Sequence, residues 1–304
     1  MFLLKETIDS RYWECVDYLN ANYEYCYLDS MHYINMEQET EVIVTGLSYG
    51  LNTIDAHRLN AVALNFSMNS QDLYYDFLHA KRVILNGRGK LQKCFITMSY
   101  YSLFYDLSLS SNNDKCIKTY MPLFRDSHHA VCTEGNDSIK AGENTLNKLF
   151  ARSFFLQNPS YYGPAVQREW IPAAVGSPSA WQSISAQKKN EFASELAGKH
   201  NKHFLHRKTL EENIQIAEQY IALLAQHGIQ PIVLITPFTK EYVTYIRKEY
   251  KEILLQFLEQ LPYQIDFLDM NELNIFEEED FIDADHLNCH GALKATQAVN
   301  DIFL

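Results

Sequence analysis

The feature that most restricts the fold of this chain is a series of short, largely apolar runs, each followed by a turn and a helical pattern. Strands that are apolar on both faces and alternate with helices belong to parallel sheets covered on both sides. The sequence therefore predicts an α/β fold with about five parallel strands. The predicted strands are Glu41–Thr45, Ala61–Leu64, Lys93–Thr97, Pro231–Thr236 and Gln264–Leu268.

Helical periodicity accompanies these strands at both ends of the chain. Between Asp106 and Arg207 no period is apparent, and a stretch of that length inside an α/β domain is expected to be an insertion. We therefore expect a single domain over residues 1–304, with a helical extension at 1–40 and an insertion or cap at about 107–206. The predicted helices are Ser10–Asn20, Gln71–Val83, Leu210–Gln226, Tyr242–Leu261 and Gly291–Phe303.

Charge and cysteine usage narrow the class of protein. The chain has 38 acidic and 26 basic residues, a formal net charge of -12, which disfavours nucleic-acid partners and membrane surfaces. The apolar run Met1–Leu4 is too short for a signal peptide or a membrane span. Six scattered cysteines without a Cys-x-x-Cys pair suggest neither a zinc site nor a disulfide framework. We expect a cytoplasmic protein that needs no metal or cofactor, and its oligomeric state stays open.

A serine stands in the turn after the first strand, in the segment Thr45-Gly46-Leu47-Ser48-Tyr49-Gly50. The carboxyl ends of parallel strands form the binding crevice of an α/β sheet, so Ser48 is presented to a ligand. The alternative is that Ser48 only caps the helix that follows. The segment also reads Gly-x-Ser-x-Gly, the nucleophile elbow of α/β-hydrolases, but that elbow follows several strands and here only about forty residues precede Gly46.

A second cluster lies near the C terminus, in Asp283-Ala-Asp285-His286-Leu-Asn288-Cys-His290-Gly291. An Asp three residues before a His can fold back so that its carboxylate accepts the Nδ1–H, which leaves Nε2 free to take a proton from a serine. Alone, this segment is equally an acidic, solvated loop with a capping Asp. Together with the serine at the end of the first strand, it favours a triad of Ser48, His286 and Asp283.

In these two segments the sequence resembles the SGNH (GDSL-type) hydrolase superfamily. The first block of that family is matched by Gly46-Leu47-Ser48, and its last block by Asp283 to His286 with the Leu-Asn-x-x-Gly continuation that ends at Gly291. The resemblance covers about residues 40–105 and 205–304. It implies a flavodoxin-like three-layer αβα sandwich with Ser48 as nucleophile, His286 as general base and Asp283 as its partner.

The two middle blocks depart from the family's pattern. Where the family usually has a Gly that donates its N–H to the oxyanion hole, this chain has the turn Asn65–Ser70, so the backbone of Ser70 or Ser67 is expected to donate. The third block normally reads Gly-x-Asn-Asp, and here Ser99-Tyr100-Tyr101-Ser102 lacks the Asn. Loss of one such donor costs about 100- to 1000-fold in turnover. We expect Tyr100, Tyr101 or a residue of the Asn65–Ser70 turn, such as Asn69, to replace it.

Tyrosine is abundant, with 20 residues, and several follow the predicted strands. Phenolic rings at the strand-end crevice can stack on sugars and donate hydrogen bonds. The segments 67–76 and 100–109 also resemble proteins of polysaccharide biosynthesis loci, in the branch of the superfamily that acylates or deacylates bacterial surface polysaccharides. The resemblance thus implies a small-molecule or carbohydrate ester as substrate. The tyrosines expected beside the crevice are Tyr49, Tyr74, Tyr75, Tyr100 and Tyr101.

Three histidines, His200, His203 and His206, follow one another at a spacing of three among basic residues. On a helix they would share one face, as metal ligands require. The plainer interpretation is a basic surface segment, and a site for an anionic substrate group is a further alternative. His128 and His129 are interpreted as loop surface.

Three hypotheses of function follow. The leading one is a serine esterase or O-acyltransferase that works through an acyl-enzyme on Ser48. The second is a catalytically degenerate protein of the same fold that binds a glycan or a partner in polysaccharide biosynthesis, as the missing Asn suggests. The third, a nucleotide-binding protein that uses Gly46–Gly50 as a phosphate turn, lacks both a Gly-x-Gly-x-x-Gly motif and a P-loop lysine.

Overall fold

The chain divides into two compact units, one of residues 39–105 and 170–304 and the other of residues 1–38 and 106–169. The computed structural model describes residues 40–86, 90–130 and 181–304. The predicted helix Ser10–Asn20, nearly all of the N-terminal extension and much of the predicted insertion lie outside the described residues.

The larger unit is built on a five-stranded, all-parallel sheet. The spatial order is β2-β1-β3-β4-β5, so the direction of winding reverses between β1 and β3. This is the strand order of flavodoxin-like doubly wound sheets, in which ligands bind at the carboxyl ends beside that reversal. The predicted α/β class and the number of strands are confirmed. The strands are β1 Val42–Gly46, β2 Ala63–Asn65, β3 Lys93–Met98, β4 Gln230–Ile235 and β5 Asp266–Asp269.

The apolar character of the strands follows from their burial. All five residues of β1 are buried, and β4 is buried except at Gln230. In the register of the sheet, Val44 lies opposite Asn65 on one side and Phe95 on the other. Because side chains alternate between the two faces of a strand, complete burial means that both faces of the sheet are covered.

The described helices differ in length from four to twenty residues. Among them, none is both long and apolar enough to cross a lipid bilayer. They are α1 Ser48–Thr53, α2 Leu73–Asn86, α3 Met121–Phe124, α4 Ala186–Asn201, α5 Arg207–Gln226, α6 Lys240–Tyr245, α7 Lys248–Gln260 and α8 Cys289–Phe303. Short 3₁₀ turns lie at Ala56–Arg58, Ser102–Phe104, Leu107–Leu109, Lys202–Leu205, Met270–Glu272 and Glu278–Asp280, and a π-helix at Cys116–Tyr120.

The helices of the larger unit pack on the sheet and on one another. Helix α5 lies against α2 and β4, with Tyr220 and Leu224 buried, and the hydroxyl of Tyr220 reaches Thr45 on β1 at 2.9 Å. Helix α8 lies against α1 and buries the small residues Ala292 and Ala295. Helices on a parallel sheet that is covered on both faces are consistent with a three-layer sandwich.

The helix predicted at Tyr242–Leu261 is two helices, α6 and α7, because the backbone is extended at Ile246 and Arg247. A side chain of α4 forms hydrogen bonds with the backbone on both sides of this break. The amide nitrogen of Asn201 donates to the carbonyl of Tyr245 at 2.9 Å, and its oxygen accepts from the backbone N–H of Arg247 at 3.0 Å. The amide thus takes up backbone groups that a continuous helix would have paired internally.

The smaller unit is described only for residues 106–130. Asp106 begins the turn Leu107–Leu109, where its carboxylate accepts the backbone N–H of Ser108 at 2.8 Å. Helix α3 is capped by the residue that follows it, Arg125, which has a φ of 60° and donates its N–H to the carbonyl of Met121 at 2.8 Å. A residue in the left-handed region is a common way to end a helix.

Candidate active site

A serine from the N-terminal part and a histidine from the C-terminal part of the larger unit's sequence lie together at the carboxyl end of β1. The Oγ of Ser48 lies 2.8 Å from Nε2 of His286, a pair separated by 238 residues of sequence. Both side chains are partly exposed. A nucleophile in hydrogen-bond contact with a base is the first requirement for covalent catalysis by serine. The structure brings together these two residues as the sequence predicts.

Two glycines allow the turn that carries Ser48 to pack closely against Thr97 and Ser67. Gly46 has a φ of +146°, and a Cβ there would lie 1.8 Å from the Oγ1 of Thr97 on β3. A Cβ on Gly50 would lie 2.1 Å from the same oxygen and 2.4 Å from the Oγ of Ser67. The Gly-x-Ser-x-Gly spacing is therefore a packing requirement of a tight strand-to-helix turn.

Asp283 organises the loop that carries His286. Its Oδ1 accepts the backbone N–H groups of Asp285 at 3.0 Å and of His286 at 2.8 Å, and both of its oxygens lie 3.1 Å from Nδ1 of the imidazole. The Asp-x-x-His spacing works because this turn returns the carboxylate to the ring. The side chain of Asp283 is 51% exposed, so it holds the ring from the solvent side.

The continuation of the loop anchors it to helix α8. Asn288 accepts the N–H groups of His290 at 2.9 Å and Gly291 at 3.1 Å, and so caps the helix. A Cβ at Gly291 would lie 2.4 Å from the carbonyl oxygen of Asp280. The Leu-Asn-x-x-Gly continuation thus sets where the helix begins and how closely the loop packs on it.

Asp285 is a site residue to which the sequence analysis gave no role. Its side chain is only 4% exposed, and its Oδ1 lies 3.0 Å from Nδ1 of His286. Its Oδ2 accepts a hydrogen bond of 2.7 Å from the phenol of Tyr49, whose ring stacks on the imidazole at 5.0 Å. The available signal was a second Asp beside the His and a Tyr directly after the serine.

The electrostatics of the loop favour a charged imidazole. The pKa of His286 is well above its usual value: burial disfavours the charge, but the carboxylates of Asp283 and Asp285 outweigh this effect. The pKa of Asp285 is lowered in return: burial raises it, but the charge of His286 and its hydrogen bond, then the charge of His200 and the hydrogen bond from Tyr49, outweigh burial. Opposite charges at this distance each favour the other's ionised form.

The turn after β2 lies against the turn that carries Ser48. The N–H of Met68 donates to the carbonyl of Gly46 at 3.1 Å, and the side-chain amide of Gln71 donates to the same carbonyl at 3.2 Å. Ser70 has a φ of 62°, a conformation that glycine adopts most readily, and it is partly exposed together with Asn69. Ser70 therefore has a glycine-like backbone at the position where the SGNH pattern, which this sequence only resembles, has a Gly.

The other predicted site tyrosines lie behind the serine and histidine rather than in an open crevice. Tyr49, Tyr100 and Tyr101 are at most 6% exposed. The phenol of Tyr100 donates to Asp269 at 2.7 Å, and the phenols of Tyr101 and Tyr49 lie 3.0 Å apart. These hydroxyls are engaged inside the protein, and Tyr75 is fully buried as well. Of the five tyrosines expected at the crevice, Tyr74 is the one that is partly exposed.

The three histidines at 200, 203 and 206 form part of an aromatic stack. The rings of His200 and His203 lie 4.4 Å and 5.6 Å from the ring of Tyr101, and Nδ1 of His200 lies 2.6 Å from the hydroxyl of Tyr242. Burial lowers the pKa of His200 and of His203 to about 4. Neutral His200 and His203 rings add no charge to this segment, whose exposed Lys199, Lys202 and Arg207 form a basic surface, and the described residues show no metal-ligand cluster here.

Two groups of described residues lie close enough together to hold a metal ion. One is Asp283, Asp285 and His286, where Nδ1 stands at hydrogen-bond distance from both carboxylates. The other, in the smaller unit, is Asp106, His128 and His129. There Nδ1 of His129 lies 3.0 Å from Asp106, as in a hydrogen bond between the two side chains, and the two imidazoles stack with centroids 3.9 Å apart. We assign a metal to neither group.

A cavity of about 310 Å³ lies at the carboxyl ends of β4 and β5. Aromatic side chains line it together with Met270, Asn271 and several charged residues. It adjoins the loop that carries His286 through Thr239, whose N–H and hydroxyl both donate to the carbonyl of Ala284. The aromatic lining consists of Trp181, Phe238, Phe276 and Phe281.

No family model matches this sequence, and no curated protein matches it either.

Proposed function

We propose that this protein is an SGNH-type serine esterase or O-acyltransferase that acts on an acyl ester. The observation that carries the proposal is the 2.8 Å contact between Ser48 Oγ and His286 Nε2. Behind the imidazole lie carboxylates within 3.1 Å of Nδ1. Nucleophile, base and orienting carboxylate are the three parts that acyl transfer by serine requires.

In the proposed reaction, neutral His286 takes the proton of Ser48 as Oγ attacks the acyl carbon. The carbonyl electron pair moves to its oxygen, and the resulting tetrahedral species collapses when His286 returns the proton to the leaving alcohol. The ester C–O bond is then broken and the acyl group is bound to Ser48. Water or a second hydroxyl, deprotonated by His286, attacks the acyl-enzyme and regenerates the serine.

The tetrahedral oxyanion needs donors, and backbone N–H groups are the proposed ones. Ser48 is the first residue of α1, where N–H groups have no partner within the helix. Ser70 contributes its N–H from the neighbouring turn, with Asn69 beside it. Tyr100 and Tyr101 are not proposed as donors, because their phenols already bond to Asp269 and Tyr49.

The class of acceptor separates an esterase from an acyltransferase, and the same serine and histidine serve both. The resemblance to proteins of polysaccharide biosynthesis extends the proposal to an ester carried by a carbohydrate. The cytoplasm remains the proposed location.

A fluorophosphonate probe and 4-nitrophenyl acetate test the proposal. We expect the wild-type protein to be labelled and to release nitrophenol, and Ser48→Ala to abolish labelling. His286→Ala is expected to reduce both reactions at least about 1000-fold, as loss of a triad member does. Ser111→Ala and His227→Ala are matched controls, because they make the same substitutions at an exposed serine and an exposed histidine. Full activity of Ser48→Ala would overturn the proposal.

A specific observation favours a second candidate, a protein of this fold that binds a glycan without catalysis. The segment Ser99–Ser102 has no Asn, so the side-chain oxyanion donor that the family's pattern has there is missing. If folded wild-type protein is not labelled at any pH between about 5 and 10, a range wide enough for a histidine base of raised pKa, the second candidate is preferred.

A further inference from the structure

Two carboxylates, unlike in their surroundings, lie beside the same nitrogen of His286. Asp283 approaches Nδ1 with both oxygens at 3.1 Å from a side chain that is 51% exposed. Asp285 approaches it with one oxygen at 3.0 Å from a side chain that is 4% exposed. A triad needs only one such carboxylate. The triad alone therefore does not explain the second, buried carboxylate of Asp285.

Tyr49 fixes the position of Asp285. Its phenol donates to Oδ2 of Asp285 at 2.7 Å while its ring stacks on the imidazole, with the two planes 25° apart. Since the single hydroxyl proton of Tyr49 goes to Asp285, the 3.0 Å bond between the phenols of Tyr49 and Tyr101 is donated by Tyr101. The carboxylate is thus held from behind by a chain of two buried phenols.

From these contacts we infer that Asp285, held by Tyr49, is a positioning residue that stabilises the imidazolium form of His286 from the protein interior. The inference deepens the proposed function and rests on it where catalysis is concerned. Asp283 shapes the loop and directs the Nδ1–H. Asp285 supplies a charge that water screens little, so its effect on the ring should depend little on salt.

The groups that face this pair from neighbouring elements are mostly neutral. Tyr101 follows β3, Tyr242 belongs to α6 and His200 to α4, and the pKa of His200 is lowered to about 4 by burial. Burial likewise raises the pKa of both phenols above the usual tyrosine value. Near neutral pH, Asp283 and Asp285 are therefore the charges that act on His286.

The experiment is a titration of His286 by NMR in protein labelled at the histidine Cε1, with the resonance assigned through His286→Gln. Wild type, Asp283→Asn and Asp285→Asn are titrated at ionic strengths of about 0.1 M and about 1 M, since the Debye length falls from about 10 Å to about 3 Å over this range. Asn keeps the shape of the side chain and, at position 283, the oxygen that accepts the two backbone N–H groups.

We expect Asp285→Asn to lower the pKa of His286 by the same amount at both ionic strengths. The shift caused by Asp283→Asn is expected to shrink at high salt. If Asp285→Asn does not fold, Asp283→Asn alone decides: its His286 should keep a pKa above about 6.5 at high salt. A value at or below that, or a shift in Asp285→Asn that salt abolishes, overturns the inference.

Fluorophosphonate labelling of the same variants separates this inference from the proposed function. Tyr49→Phe removes the donor to Asp285, and Tyr101→Phe removes a phenol one bond further away. We expect the labelling rate to fall about tenfold in Tyr49→Phe, as for one charge-assisted hydrogen bond, and less in Tyr101→Phe. Equal losses in both variants contradict the role of Tyr49. If wild type is not labelled at all, the proposed function fails while the titration still decides the role of Asp285.

Discussion

The hydroxyl of Ser48 and the imidazole of His286 are in contact at 2.8 Å because the sheet and its last helix bring their two loops together. Ser48 starts α1 directly after β1, and His286 precedes α8, which packs on α1. The distance between them therefore depends on that helix pair as well as on the loops. Changes at the helix contact are expected to alter the site without touching either residue.

The first prediction concerns the pH dependence of acylation. Only neutral imidazole can take the proton of Ser48, and the pKa of His286 is raised because Asp283 and Asp285 outweigh its burial. The labelling rate should therefore rise with pH through a pKa that lies above the usual histidine value of about 6.5. A rate that is already constant at pH 6.5 would contradict this ordering of effects. The measurement is the fluorophosphonate labelling rate from pH 5 to about 10.

A second prediction tests the close packing at the turn that carries Ser48. Gly50→Ala places a methyl group 2.1 Å from Thr97 Oγ1 and 2.4 Å from Ser67 Oγ, so atoms must move. We expect the free energy of unfolding to fall by about 1–3 kcal/mol, as for other overpacked sites. Gly198→Ala is the matched control: it lies in α4 with nothing within 4 Å of its Cβ, and it should gain about 0.5–1 kcal/mol. Urea denaturation of both variants measures the two changes, and equal effects would exclude the packing explanation.

The third prediction separates the backbone of Ser70 from its side chain. Ser70→Gly keeps the N–H and suits the φ of 62° better, so labelling should stay within about threefold of wild type if the donor is the backbone. The free energy of unfolding should not fall, because a left-handed residue other than glycine costs about 1 kcal/mol. A tenfold or greater loss of labelling would instead identify the hydroxyl as the functional group.

The strands were predictable because each depends on local pattern, and the pair Ser48 and His286 because each stands in a short segment that resembles a motif block of the same family. An apolar, β-branched run such as Ile43 and Val44 indicates a buried strand wherever it occurs. Asp283 reaches His286 through a local turn of three residues. Asp285 was not predictable in this way, since its role depends on Tyr49, which lies 236 residues away. Burial of that carboxylate is a tertiary property that no sequence period encodes.

The break between α6 and α7 escaped prediction for a related reason. Local periodicity through Tyr245 and Arg247 is that of one helix, and the sequence has no Gly or Pro there. Asn201 of α4 competes for the backbone groups at this point, and a long-range side chain decided the outcome. The prediction that the tyrosines line an open crevice failed for a similar reason. Residues such as Tyr101 follow a strand in sequence, but their phenols form hydrogen bonds inside the protein.

The last prediction concerns acid stability and His203. Burial lowers the pKa of His203 and of His200 to about 4, and that of His79 to about 3, so the unfolded chain binds protons that the native protein does not between about pH 6.5 and 5. These histidines therefore make stability fall as the pH is lowered through this window. Asp76 acts in the opposite sense, because burial raises the pKa of its carboxyl. The prediction is thus a difference between variants.

His203→Phe keeps a ring to stack on Tyr101 and removes the titrating group. Between about pH 6.5 and 5 we expect Tm to fall less in this variant than in wild type, because one proton fewer is taken up on unfolding. His227→Gln changes an exposed histidine and serves as the control for replacing a histidine at the surface. Calorimetry at several pH values compares the three proteins. An unchanged pH dependence in His203→Phe would mean that His203 is accessible to protons in the native state, and the stack around Tyr101 would then have to open.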